Sequence, residues 1–165
     1  MTLQLDIQSA SSEPVPDEDD IRRWITATLE ADERQGDSEI CVRLVDSSEM
    51  AKLNHDYRHR QGPTNVLSFP TELPAGIDLP LLGDIVICAP LVQTEAVEQH
   101  KLPEAHWAHL TIHGTLHLLG YDHVEEAEAT VMESLESRIV QHLGYPCPYV
   151  EDARHSGELM EQQGA

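Results

Sequence analysis

Residues 103–123 have the sequence PEAHWAHLTIHGTLHLLGYDH, which defines one helix and the point where it ends. Pro103 suits the first turn of a helix, where its missing N–H is not needed. A glycine just past the last helical residue lets the backbone enter the left-handed region and turn back, and Gly120 occupies such a position. The sequence therefore predicts a helix from Pro103 to about Gly120, followed by a chain reversal.

Four histidines share one face of this helix, because positions four residues apart differ by only about 40° around the axis. They are His106, His109, His113 and His117. His109, His113 and His117 are spaced four residues apart, so neighbouring members of these three are about 6 Å apart along the axis and can hold one metal ion between them. His109 and His117 are about 12 Å apart, too far to share an ion bound about 2 Å from each nitrogen. The ligand pair is therefore either His109 with His113 or His113 with His117.

Gly120 decides between the two pairs. In a straight helix His123 would lie about 15 Å along the axis from His113, whereas a turn at Gly120 can bring it beside His113 and His117. The spacing H-x-x-x-H-x-x-G-x-x-H is also that of the three metal ligands in one class of zinc peptidases. We predict one zinc ion on His113, His117 and His123, although imidazole also suits nickel, copper and iron. Two further residues are predicted to orient the ligands through hydrogen bonds: Asp122 and His109.

The chemistry of such a site depends on what surrounds the ion. The peptidases carry a general-base Glu directly after the first histidine, and this chain has Gly114 there. Three neutral imidazoles leave the ion its full charge and an open fourth position, which is the catalytic arrangement. Zinc held in this way makes an activated water available near neutral pH. A phosphodiester, with negative charge to neutralise, suits this site better than a peptide bond.

Composition limits the class of protein. The chain has 165 residues, 40% hydrophobic content and a formal net charge of −20. This length suits one domain, and the acidic surface argues against non-specific binding to nucleic acid. There is no membrane-spanning run of about 20 apolar residues and no secretory signal, so we expect a cytoplasmic protein with no membrane partner. The three cysteines are widely spaced and are expected to remain reduced thiols.

Residues 52–70, KLNHDYRHRQGPTNVLSFP, form the one cationic segment that stands out in this acidic chain. Lys52, Arg58 and Arg60 are three of its ten Lys and Arg residues. Asp56 is the single acid in the segment. The segment is either a binding site for an anionic substrate or an ordinary helix end where cations face the helix dipole.

Apolar periodicity and turn residues predict a single mixed α/β layer structure. The predicted strands are residues 3–8, 39–46, 65–70 and 83–89. The predicted helices are residues 17–34, 47–57, 90–101, 103–120 and 124–143.

The stretches HGTLHLLGYDH, LNHDYRHRQGPTNVLSFP and LGDIVIC closely resemble the YbeY family, bacterial metal-dependent endoribonucleases of rRNA maturation. The resemblance runs in order through residues 3–149. It implies an α+β fold in a single domain, residues 1–150, with a mixed, roughly four-stranded sheet and about five helices. The metal site is expected at the C-terminal end of a central helix. Residues 151–165 are expected to form a polar, flexible tail.

The resemblance also implies zinc on His113, His117 and His123 and an important arginine at Arg58. It implies work on single-stranded RNA, in 16S rRNA 3′-end maturation and ribosome quality control. The expected partners are 16S rRNA, the small ribosomal subunit and its assembly factors, with no DNA. Asn65 stands where many relatives carry Asp, and the acidic surface is not part of the family pattern.

These expectations give a mechanism in which Arg58 and His113 are the catalytic residues. Arg58 donates two hydrogen bonds to the scissile phosphate and stabilises charge in the transition state. The general base stays open between the activated water, the substrate 2′-OH and His59. The predicted substrate contacts are Lys52, Arg60, Thr64, Asn65 and Ser68.

Two other functions remain open from the sequence. One is a metallohydrolase acting on amides, which Gly114 disfavours because a positioned base supplies about 10²–10⁴-fold of rate. The other is a non-enzymatic ribosome assembly factor whose metal is structural. In that case chelation lowers the melting temperature, while a metal-free but folded form still supports rRNA maturation.

Overall fold

The computed structural model describes residues 2–72, 79–122 and 125–148. The predictions for His123 and for the tail at 151–165 lie outside the described residues. The described part has the following elements in chain order: β1 Leu3–Ser9, α1 Glu18–Ala31, β2 Ser38–Val45, α2 Ser47–Arg58, β3 Val66–Pro70, β4 Leu81–Cys88, α3 Ala89–Glu98, α4 Pro103–Leu118 and α5 Glu126–His142. The predicted α+β single domain, with four strands and five helices, is confirmed.

The four strands form one mixed sheet in the order β1-β2-β4-β3. β1 and β2 are parallel, as are β2 and β4, whereas β3 runs antiparallel to β4. The second half of β4, Ile85–Cys88, is buried without alternation, because the middle of the sheet is covered on both faces. The pairing of β3 with β4 places the end of the cationic segment next to the strand on which α4 packs.

Helix α4 is the centre of the molecule and contacts α1, α3, α5, β3 and β4. Buried residues occur almost all round it, which is the pattern of a helix enclosed by other elements. Its Ile112 packs in one core with Trp24 of α1, Ile87 of β4 and Met132 of α5. None of the helices in the described ranges is long and apolar enough to cross a membrane.

The end of α4 confirms the predicted turn at Gly120. The helix stops at Leu118, and Gly120 has a φ of 101°, a left-handed conformation that favours glycine. The Tyr121 N–H donates to the Leu116 carbonyl at 3.0 Å, and the Gly120 N–H donates to the His117 carbonyl at 3.1 Å. These two bonds define a Schellman motif, which satisfies the last carbonyls of the helix while the chain turns away.

Several predicted element ends were wrong by two or more residues. α1 ends at Ala31 rather than Arg34, because Glu33 adopts a left-handed φ of 57° and turns the chain. α3 ends at Glu98 rather than near Lys101, because His100 adopts a left-handed φ of 56° and turns the chain. β4 begins at Leu81 rather than Gly83, since the strand continues past a register shift in its pairing with β2. These errors concern backbone geometry that leaves no signal in hydrophobic periodicity.

Candidate metal centre and active site

His113 and His117 present their Nε2 atoms to each other from successive turns at the C-terminal end of α4. The two atoms are 3.1 Å apart and the ring centres are 4.6 Å apart. Two imidazole nitrogens bound to one tetrahedral zinc at about 2.0–2.1 Å would lie about 3.3 Å from each other. The observed pair therefore fits a shared ion with little adjustment.

A buried carboxylate on α5 stands behind this pair. Glu136 has no exposed surface and accepts hydrogen bonds from His113 Nδ1 and, at 2.9 Å, from His109 Nε2. Donation from Nδ1–H leaves the His113 Nε2 lone pair available, which is the form that binds a metal. The sequence prediction placed this supporting role on Asp122 and His109, and did not find Glu136.

The charge of Glu136 is set by its two histidine neighbours. Burial alone would raise the pKa of Glu136, but His113 and His109 outweigh it and hold that pKa far below its usual range. Burial lowers the pKa of His109, although Glu136 acts in the opposite direction. The Glu136 carboxylate is therefore ionised. A fixed negative charge behind the His113 ring favours a cation in front of it.

A signal for Glu136 was present in the sequence. On α5 it stands within the buried stripe, and the apolar members of that stripe are Met132, Leu135, Ile139 and Val140. An acid on the apolar face of an amphipathic helix is almost never buried without a partner. That misplaced charge is the feature that could have indicated a buried partner such as a histidine.

Two of the three predicted metal ligands, His113 and His117, lie within the described residues. No three His, Cys, Asp or Glu side chains are grouped as an ion would require within residues 2–72, 79–122 and 125–148, and His123 lies outside these ranges. Asp122 is exposed, two residues after the turn at Gly120. His106 lies further back on α4, where its Nε2 contacts Glu95 at 2.8 Å.

Gly114 has no room for a side chain. A Cβ atom there would lie 2.9 Å from Ile85 Cγ2 and 3.2 Å from Ser68 Oγ, because α4 packs directly against β3 and β4 at this position. The place where the peptidases carry their general-base Glu is therefore filled by the sheet. This packing argues against the alternative of a metallohydrolase acting on amides by that mechanism.

We expect Gly114→Ala to lower the free energy of unfolding by up to about 2 kcal/mol. Alanine inside a helix is normally more stable than glycine by about 1 kcal/mol, but overpacking a core typically costs about 1–3 kcal/mol. Urea denaturation measures the change. The matched control is Ala105→Gly on the same helix, which should also lose stability, from helix propensity alone. A Gly114→Ala variant more stable by about 1 kcal/mol, the full gain in helix propensity, would show that the sheet leaves space after all.

Arg58 is the last residue of α2 and is anchored to β3. Its Nη2 donates to the Ser68 carbonyl at 2.9 Å, and its Cζ lies 5.6 Å from the centre of the Phe69 ring, within cation–π range. Ser68 Oγ donates in turn to the Gly114 carbonyl at 3.0 Å. A short chain of contacts therefore joins Arg58 to the helix of the histidine pair, next to His113.

Some of the predicted substrate-contact residues are exposed in the structure, and others are buried. Lys52 and Arg60 are exposed, and Thr64 is half-buried. The Asn65 side-chain amide donates to Glu95 at 3.1 Å, so it joins the contact between Glu95 and His106. Ser68 is buried between β3 and α4.

Comparison with known proteins places the chain in a family. The family model described as Endoribonuclease YbeY matches residues 6–144. Relatives named Endoribonuclease YbeY include one from Pseudomonas entomophila, 53% identical over 155 residues that cover 93% of this chain and 98% of that protein. Another, from Pseudomonas putida, is 54% identical over 151 residues, covering 91% and 95%.

A solved structure has a similar fold. The solution structure of the Thermotoga maritima protein TM1509 is similar with a TM-score of 0.55 and 28% sequence identity, covering 82% of this chain and 87% of that one. The family match spans both the histidine helix and the cationic segment that the fold brings beside it. The chain therefore belongs to the Endoribonuclease YbeY family.

Proposed function

We propose that this protein is a zinc-dependent endoribonuclease that hydrolyses phosphodiester bonds in single-stranded RNA. Membership of a family of hydrolytic nucleases supports the reaction class. The observation that carries the metal dependence is the 3.1 Å separation of the Nε2 atoms of His113 and His117. The Glu136 carboxylate behind them accepts a hydrogen bond from His113 Nδ1, which leaves the Nε2 lone pair of His113 available to bind a metal.

The zinc ion would be held by His113, His117 and His123. When bound, it supplies Lewis acidity and a water activated near neutral pH. The residues of the chain fix the geometry before any metal arrives. Glu136 orients the His113 ring, and α4 presents His117 on the next turn, where its Nε2 faces the same point.

Arg58 supplies the positive charge for the scissile phosphate. Its guanidinium is planar and presents several N–H donors that pair with two phosphate oxygens at once. The anchors on Ser68 and Phe69 hold it in place, so little reorganisation is needed as charge develops in the transition state. Exposed Lys52 and Arg60 attract the RNA backbone to this face of a chain whose net charge is −20.

The biological role that we assign is maturation of the 16S rRNA 3′ end and ribosome quality control in the cytoplasm. The resemblance of the histidine and PTNVLSFP motifs to the family supports this role. The small ribosomal subunit and its assembly factors are the proposed partners. A strongly acidic surface disfavours random RNA, so the substrate is delivered by these partners and recognised by the cationic segment beside the histidine pair.

The test uses end-labelled single-stranded RNA, a duplex of the same sequence, single-stranded DNA and a peptide mixture, each with and without a chelator. We expect cleavage of the single-stranded RNA alone, loss of cleavage with the chelator and recovery on addition of zinc. Cleavage by protein shown by elemental analysis to be free of metal would contradict the proposal, as would cleavage of peptides.

A second arm of the test addresses the ribosomal role. Small subunits that carry 16S rRNA with an extended 3′ end are incubated with the protein and with its Arg58→Ala variant. We expect the wild-type protein to produce the mature 3′ end, and the Arg58→Ala variant not to produce it. Equal maturation by a folded, metal-free form would favour the non-enzymatic assembly factor instead.

A further inference from the structure

Tyr57 is an exposed aromatic ring at the C-terminal end of α2. The whole sequence contains four Tyr, two Trp and one Phe, so each ring has a large share in the packing. Trp24 and Trp107 are buried, and the Tyr121 and Tyr145 hydroxyls donate to acids. In the described ranges Tyr57 is the exposed aromatic side chain, with 63% of its surface accessible to solvent.

The side chains of Tyr57 and Arg58 both contact the Phe69 ring. The Tyr57 ring meets the Phe69 ring edge to face, with centres 5.3 Å apart and planes at 68°. The Arg58 guanidinium carbon lies 5.6 Å from the centre of the same Phe69 ring. Edge-to-face contacts of this kind stabilise one ring orientation. Tyr57 is therefore positioned by Phe69 while most of its surface stays open to solvent.

We propose that Tyr57 is a stacking platform for one unpaired base of the RNA substrate, beside the phosphate that Arg58 binds. The inference rests on the proposed function and adds a base-binding subsite to it. Single-stranded RNA is generally recognised by stacking of splayed bases on aromatic rings and arginine planes. Every base has a π face, so such a platform binds single strands with little sequence preference.

The electrostatic setting points to RNA as the occupant of this surface. Tyr57 lies in the segment that carries Lys52, Arg58 and Arg60, in a chain that is otherwise strongly acidic. Cations and an exposed Tyr also occur at protein–protein interfaces, but membership of a ribonuclease family favours a nucleic acid strand as the occupant. A nucleic acid strand uses both, since its phosphates pair with the cations and its bases stack on the ring. A base-paired strand cannot offer its base, so the platform also favours single strands.

The experiment compares Tyr57→Phe, Tyr57→Leu and Tyr57→Ala in steady-state cleavage of single-stranded RNA by the zinc-loaded protein. Leu fills similar space against Phe69 but has no flat face, so it separates stacking from packing. We expect Tyr57→Phe to keep the wild-type KM. Tyr57→Leu and Tyr57→Ala should raise KM by roughly five- to 150-fold, the range for one base–aromatic stack, with little change in kcat. Val131→Ala, at an exposed apolar position on α5, should keep the wild-type KM.

A fluorescence measurement reports the subsite independently of cleavage. RNAs that carry single 2-aminopurine bases at successive positions are titrated with each protein. One position should be quenched on binding to the wild type and to Tyr57→Phe, but not to Tyr57→Leu. An abasic nucleotide at that position should make the wild type bind as weakly as Tyr57→Leu.

The outcomes separate this inference from the proposed function. Quenching that depends on the Tyr57 ring, in a protein that does not cut RNA, would support the platform and refute the nuclease proposal. A wild-type KM and wild-type quenching in a folded Tyr57→Leu variant would overturn the platform and leave the nuclease proposal standing. Circular dichroism and melting temperature show whether each variant is folded.

Discussion

Replacing Arg58 with alanine lowers kcat for cleavage of single-stranded RNA by about 10²–10³-fold, the usual effect of removing one preorganised group that stabilises transition-state charge. The side chain is held by Ser68 and Phe69 in the position where we place the scissile phosphate. It does not contribute to the histidine pair, so zinc content should stay at the wild-type value. Single-turnover cleavage with saturating protein measures the chemical step directly.

Two control variants sharpen the test of Arg58. Arg58→Lys keeps the charge but loses the planar fork, and should recover only part of the rate. Arg138→Ala removes the same charge from an exposed position on α5 and should cleave at the wild-type rate. An Arg58→Ala variant with normal zinc content and a wild-type rate would remove Arg58 from the mechanism.

Replacing Glu136 with glutamine weakens zinc binding by about 10–100-fold, the usual cost of losing a carboxylate that supports a histidine ligand. Glutamine is nearly the same shape, so the cavity is preserved. It is neutral, however, and it has only one acceptor oxygen. Its NH₂ group would therefore face one of the two histidine N–H groups that now donate to the carboxylate, and two donors cannot bond to each other. Competition for zinc with a chelator of known affinity measures the change in Kd.

The control for Glu136 is Glu128→Gln, which makes the same charge change at an exposed position of the same helix. It should bind zinc with the wild-type Kd. If Glu136→Gln also binds zinc with the wild-type Kd, the carboxylate has a packing role and does not tune the ligand. Melting temperatures of the metal-free proteins separate a loss of folding from a loss of metal affinity.

The sequence predicted the features that depend on neighbouring residues. Pro103 opens α4 and the turn at Gly120 ends it as expected, because helix ends are set by the conformational limits of single residues. Helical spacing left two possible histidine pairs, and the turn at Gly120 favoured His113 with His117. The Nε2 atoms of these two residues do face each other.

The features that sequence reasoning missed depend on contacts between distant segments. Glu136 is 23 residues from His113 along the chain, and only the packing of α5 on α4 brings them together. The sequence showed only that Gly114 stands where a general-base Glu is missing. The structure shows why the position requires glycine: Ile85 on β4 lies too close for a side chain. The strand order β1-β2-β4-β3 is likewise set by packing that periodicity along one strand does not encode.

The most direct test of the account is the zinc content per chain of the purified protein and three histidine variants, measured by elemental analysis. We predict about one zinc per chain in the wild type and in His142→Ala, whose histidine is exposed at the end of α5. Zinc should be lost from both His117→Ala and His123→Ala. A full complement of zinc in either of these two variants, provided that it is folded, would contradict a site built from two turns of α4 and the residue that follows its glycine turn.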